Sequence, residues 1–176
     1  MDPLAAHRAR IGRIREAFAE ANERFVSRLR GVDDEAARRP AESGGWSAAQ
    51  IGWHVAKVTT RFAGLMSGDA PGAQPLGPAF AERSWASIVP TIPDRLQAPA
   101  SVQPPAVVSR MEAIAALEAS GMAMARALDA VTPERGATHG ITSPIVGGTI
   151  NLYQLGEWAT AHVIRHNKQA KLTLGR

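Results

Sequence analysis

A chain of 176 residues, 45% of them hydrophobic, can bury a core without covalent staples, and we read it as one domain spanning residues 1–176. It has no cysteine, which excludes disulfides and thiolate ligation and leaves nitrogen and oxygen donors for any metal. The formal charge of +4 rests on 17 arginines and three lysines. No stretch resembles a secretory leader or approaches the roughly 18 apolar residues of a membrane span, so the expectation is a soluble cytoplasmic protein with no membrane partner.

The first segment places Leu4, Ile11, Ile14, Phe18, Ala21, Phe25 and Leu29 on one stripe, which predicts a helix from Pro3 to Arg30, with Pro3 in its first turn and Gly31 as its stop. Glu16, Glu20 and Glu23 lie three or four positions from arginines between Arg13 and Arg30, the pattern of a solvated face. A nucleic-acid footprint is therefore disfavoured. After a turn-rich connection from Asp33 to Gly45, Ser47 and Gln50 form a capping box, with Trp46 placed to staple onto Ile51. The second helix carries Ile51, His54, Val55, Val58, Phe62 and Leu65 on its stripe and ends near Ser67-Gly68.

Eight of the twelve prolines lie between Pro71 and Pro105, so no long helix fits there. A connection of this length reads as a crossover along a bundle, anchored by Trp85, Ile88, Val89 and Ile92, and it lets the second and third helices run parallel. The third helix is expected from Pro105 or Ala106 to Val131, with Met111, Ile114, Leu117, Gly121, Met124 and Leu128 inward. An irregular stretch through Gly136, Gly140, Pro144 and Gly147-Gly148 leads to the last helix, capped by Asn151 and Gln154 and running to about Leu174. Its inner stripe reads Leu152, Leu155, Ala159, His162, His166 and Ala170. Four long helices and no convincing strand predict an all-α fold, a four-helix bundle with a long crossover between helices 2 and 3.

Residues four apart on a helix are separated by about 40° and about 6 Å, so His162 and His166 can chelate one ion. Both sit on an apolar stripe, where an imidazole needs something to satisfy its nitrogens, and His54 occupies the equivalent face of the second helix. The three make a candidate divalent-metal site. His7 and His139 read as surface residues, Trp53 and Trp158 as packing residues, and Tyr153 as a phenol donor or a rim residue. Arg165 and Gln169 flank the ligand pair and are candidates to meet an anionic substrate or a thiol cofactor. The basic tail of Arg165, Lys168, Lys171 and Arg176 follows Glu157, the last acid of the chain.

The run Trp46-Ser47-Ala48-Ala49-Gln50-Ile51-Gly52-Trp53-His54-Val55 resembles the tryptophan-serine-to-histidine stretch of the DinB-like superfamily, the DinB/YfiT-like metalloenzymes. Gly147-Gly148-Thr149-Ile150-Asn151-Leu152 through Glu157-Trp158, His162, Arg165-His166 and Gln169 resembles that family's closing helix. The resemblance implies a four-helix bundle in which His54, His162 and His166 bind a divalent cation, usually within a homodimer. Its best understood members are thiol-dependent, using mycothiol or bacillithiol in transfer or isomerisation. Gln50 stands where many relatives carry an acid.

Three neutral imidazoles without a fourth protein ligand leave a coordination position for water or substrate, the arrangement of catalytic zinc. Such a metal would polarise a carbonyl, activate water or stabilise a thiolate, and in a cysteine-free chain the thiol comes from outside. Val163-Ile164-Arg165 between the two histidines lacks the glutamate of a metalloprotease motif, which disfavours peptide hydrolysis. Zinc is favoured on availability, with nickel, iron and copper also compatible. The leading expectation is a metal-dependent thiol S-transferase or hydrolase acting on a small-molecule substrate. A non-catalytic metal-stabilised bundle and an anion or nucleic-acid binder stand as alternatives. No acidic partner for the imidazoles is evident by spacing, and Glu16, Glu20, Glu23, Glu112 and Glu118 are all candidates for that role.

Overall fold

The computed structural model describes residues 2–42, 44–93 and 96–175; Arg176, counted above with the basic tail, lies outside them. Four long helices dominate: α1 (Pro3–Arg30), α3 (Ala48–Ser67), α5 (Arg110–Ala130) and α7 (Leu152–Thr173), with short α2 (Asp34–Arg38), α4 (Trp85–Ile88) and α6 (Pro133–Thr138) in the connections. α1 starts and stops where its pattern predicts, with Asp2 accepting from the Leu4 amide and Gly31 closing the last turn. The Ser47–Gln50 box forms in full at the head of α3.

Side-chain contacts set the helix directions. Gly52 near the start of α3 faces Ala113 and Leu117 near the start of α5, so these two helices run parallel, as a returning crossover requires. Arg15 pairs with Asp129 and Arg30 with Glu118, which makes α1 antiparallel to α5. Arg10 reaches Glu157, and Arg28 reaches Asn167, so α1 and α7 are parallel. Phe62 meets Trp158 while His54 meets His162, so α3 and α7 are antiparallel. The core between the four helices is built from Phe25, Leu29, Ile51, Met66, Leu117, Met124, Leu128, Leu152 and Leu155, all fully buried. Each such side chain contributes about 1.5–3 kcal/mol through the apolar surface it removes from water.

The structure differs from the expected layout in three places. α5 begins at Arg110, not at Pro105 or Ala106. Ser109 and Glu112 form a second capping box there, and the Gln50 side-chain amide donates to the carbonyls of Pro105 and Ala106, holding them out of a helical ladder. Met111, expected inward, is then a first-turn residue and is exposed, as is Val89 of the crossover, whereas Ile88 is fully buried.

The second difference is a small antiparallel sheet, β1 (Gln74–Pro75), β2 (His139–Ser143) and β3 (Gly148–Asn151), in order β1-β2-β3. Gly140 pairs with Asn151 and Ser143 with Gly148. A Cβ on Gly140 would lie 2.1 Å from the Ile150 carbonyl oxygen, so only glycine permits this register. Gly147 and Gly148 adopt φ of 60° and 144°, which the hairpin turn needs and a side chain resists. The third difference is Tyr153, which is buried, not on a rim: its hydroxyl donates to the Pro133 carbonyl at 3.3 Å and lies 2.7 Å from His7 Nδ1. His7, expected at the surface, is accordingly half-buried, and so is His139 in β2.

Candidate metal centre

His54 projects from the middle of α3, and His162 and His166 project from successive turns of α7, which crosses it antiparallel. The ring centroids stand 5.3 Å (His54–His162), 5.0 Å (His54–His166) and 4.4 Å (His162–His166) apart. One nitrogen from each ring can be chosen so that all three lie within 4.8 Å of one another, and no carboxylate joins them among the described residues. His54 is buried with 5% exposure, and the other two are half-buried. Trp46, the residue before the α3 cap, packs its ring 4.9 Å from that of His54 and closes one side of the group.

Each imidazole has a different support. His54 Nδ1 lies 2.8 Å from the Val102 carbonyl oxygen. A carbonyl can only accept, so Nδ1 carries the proton and Nε2 keeps a free lone pair. His166 Nδ1 donates to Gln169 Oε1 at 2.8 Å, with the same consequence at its Nε2. His162 Nδ1 is buried and has no hydrogen-bond partner among the described residues. A buried, unsatisfied ring nitrogen is costly in an apolar protein and is what a ligand atom looks like when its ion is left out of account. The donor set therefore fits a divalent cation: three neutral nitrogens, two with their tautomers set by outer partners.

Electrostatics keep the rings neutral. Burial lowers the His54 pKa, against the opposing pull of the Val102 carbonyl. Burial also drives His162 well below the ordinary histidine range, reinforced by His166, His54 and Arg165. His166 is pushed down to about 4, mainly by burial and then by the His54 and Arg165 charges, although Gln169 opposes the shift. At neutral pH all three are in the form that binds metal, with no proton to displace from the lone pair.

Of the residues read from the sequence as flanking the site, Gln169 sits behind His166 and orients it, and Arg165 is exposed on α7 with its charge acting on both α7 histidines. The five glutamates proposed as imidazole partners are elsewhere. Glu20 pairs with Arg24, Glu23 and Glu118 face Arg30, Glu112 caps α5, and Glu16 is exposed on α1. The partner that sequence reasoning missed is the Val102 carbonyl, a backbone atom in the 3-10 turn Ala100–Val102 of the crossover, which leaves no side-chain signature.

A second polar cluster pins the other part of the crossover. Arg10 donates to both oxygens of Glu82 and to Glu157, Asn151 donates to Glu82, and the Trp85 indole N–H donates to Glu157 at 2.6 Å. The family model described as the DinB superfamily matches residues 17–170, which takes in all three histidines. The chain belongs to the DinB superfamily. Neither the curated proteins nor the solved structures compared with this DinB-superfamily chain gave a match. No helix among the described residues of this family member is long and apolar enough to cross a membrane.

Proposed function

We propose that this DinB-superfamily protein is a divalent-metal-dependent enzyme of the thiol-transferase type, with His54, His162 and His166 as its protein ligands. The observation that carries the reading is the convergence of three neutral imidazoles, one with an orphaned buried nitrogen, without a carboxylate or a fourth protein donor beside them among the described residues. Such a set holds the ion and leaves a position for an external ligand. When bound, the metal would supply Lewis-acid polarisation and stabilise a deprotonated sulfur or oxygen at that position.

The chain's own residues would do the rest. The Val102 carbonyl and Gln169 would hold His54 and His166 in the tautomer whose Nε2 faces the ion, and Trp46 would exclude water from one side. Arg165 would bring a positive charge to the rim. No cysteine is present, so a thiol would be an exogenous small molecule. Zinc is the preferred metal, nickel the next, and the reading includes a homodimer, for which sedimentation at micromolar concentration is the check.

Elemental analysis of the purified protein tests the proposal first: about one metal per chain is expected, lost in His162→Ala together with turnover of thiol and electrophile panels. A protein that carries no metal and binds neither zinc nor nickel would remove the reading. Metal that raises the melting temperature while every panel stays silent would leave a metal-stabilised bundle without catalysis.

A further inference from the structure

The first two turns of α3 hold the same stretch of the crossover at two points. His54 Nδ1 donates to the Val102 carbonyl at 2.8 Å. One turn earlier, the Gln50 side-chain amide donates to the carbonyls of Pro105 and Ala106 at 2.9 and 3.1 Å. Val102 lies against His54 and Pro105 against Gln50, so this stretch runs opposite to α3. Only Gln103 and Pro104 separate the two contacts. Proline fixes its own φ at about −65° and holds the residue before it extended. Gln103, which precedes Pro104, accordingly has φ −71° and ψ 136°. Gln103, Pro104 and Pro105 thus form a stiff spacer that rises about 3 Å per residue, and one contact cannot shift far without the other.

The turn that presents the Val102 carbonyl is otherwise closed on itself. The Val102 N–H donates to the Pro99 carbonyl at 3.0 Å, and the Gln103 side-chain amide donates to the Ala98 carbonyl at 2.8 Å. The buried Val102 side chain seats the turn on the bundle, but apolar burial is non-directional and does not aim a carbonyl. Resting on the metal-binding reading above, we infer that Gln50 is a positioning residue of the metal centre. Through the Pro104-Pro105 spacer it sets the Val102 carbonyl against His54 and so fixes which ring nitrogen is offered to the ion. An amide suits this place because it accepts and donates at once. Its Oε1 accepts from the Ser47 N–H in the capping box while its Nε2 holds the crossover. A carboxylate would serve the cap equally well and is favoured at a helix N-terminus. It has no proton for the Pro105 and Ala106 carbonyls, however, and would repel both oxygens. Cap and clamp are therefore separated by a single substitution.

The test is Gln50→Glu in the full chain, with Pro104→Gly as a second variant that keeps the Gln50 bonds and softens the spacer. Ring-nitrogen NMR shifts of the metal-free chain, recorded above neutral pH, read the tautomer of each histidine. The parent should show His54 protonated at Nδ1. In both variants His54 should move toward a mixture of tautomers, while His166, held by Gln169, stays unchanged. Zinc affinity by competition titration should fall about tenfold in both, the lower end of the range for a lost outer partner, with the helical circular dichroism unchanged. If Gln50 only caps α3, Gln50→Glu leaves the ring shifts and the zinc affinity at their parent values, which overturns the inference while the metal site stands. His54 shifts that move with no loss of zinc affinity overturn it as well. A parent chain that binds no zinc removes the metal reading and this inference with it, a result distinct from a zinc-binding parent whose variants bind equally well.

Discussion

Replacing His162 by leucine should invert the order of stability between the metal-free and metal-loaded protein. In the metal-free chain His162 Nδ1 is buried without a partner among the described residues, and the ring is held neutral by burial, with the centroids of two imidazoles at 4.4 and 5.3 Å. An unsatisfied buried polar atom costs about 1–3 kcal/mol, and a leucine of similar volume removes that cost while adding apolar contact. The chelated variant should therefore be more stable than the chelated parent by about 1–2 kcal/mol. For a chain of this size that is a rise in melting temperature of roughly 2–8 °C. With metal the parent gains RT ln(1 + [M]/Kd), about 2.7 kcal/mol at a hundredfold and about 4.1 kcal/mol at a thousandfold excess over Kd. The variant, lacking one of three ligands, forfeits most of this gain, so the parent becomes the more stable. Calorimetry and urea titration, each run after dialysis against EDTA and again with excess zinc, read both halves. A chelated variant that melts at or below the chelated parent, or a zinc stabilisation equal in the two chains, refutes the reasoning.

Gln169→Leu removes the acceptor that orients His166 at an exposed position, so zinc affinity by competition titration should fall about 10- to 100-fold with the helical circular dichroism unchanged. Acid should destabilise the metal-free chain. His166 titrates at about 4 when folded and near 6.5 when unfolded, so the unfolded state takes the proton first and stability is lost as pH falls through that window. At about 1.4 kcal/mol per pH unit this group alone contributes about 3 kcal/mol, with His54 and His162 acting in the same direction, and urea midpoints between pH 7 and 4 measure the slope. Arg10→Ala strands Glu82 and Glu157, whose side chains are 39% and 27% exposed, and should cost about 1–2 kcal/mol. Hydrogen exchange should rise at residues 82–88, while an unchanged exchange there would show that the crossover does not depend on the clamp.

The helices were legible because their signals are local and redundant. The apolar stripe of α1 runs the length of the helix between Pro3 and Gly31, and the caps at Ser47 and Asn151 announce α3 and α7 at the right residues. The histidine group was legible for the same reason, since a spacing of four on one helix and a third imidazole on an apolar stripe are periodic facts. The sheet was not, because its strands hold two to five residues and its register depends on Gly140 accommodating a carbonyl from a different strand. The late start of α5 carries a local signal in the Ser109-x-x-Glu112 capping box, which the sequence reading passed over; only the Gln50 amide donating to the Pro105 carbonyl, 55 positions away, leaves no period in the sequence.

From composition, periodicity and capping follow the four long helices, most of the faces they bury, the absence of thiolate ligands and the three histidines on inward stripes. Tertiary structure decided what surrounds those histidines. The His54 tautomer is set by a carbonyl 48 positions away in a proline-rich crossover, and the crossover is held in place by Arg10, Glu82 and Glu157 from three separate segments. Hydrogen bonds to backbone carbonyls and ion pairs across the fold leave no period in the sequence, because any residue can offer the carbonyl and any acid the charge. The identity of the imidazoles was local; the neutral acceptors that set the tautomers of His54 and His166 belong to the folded chain.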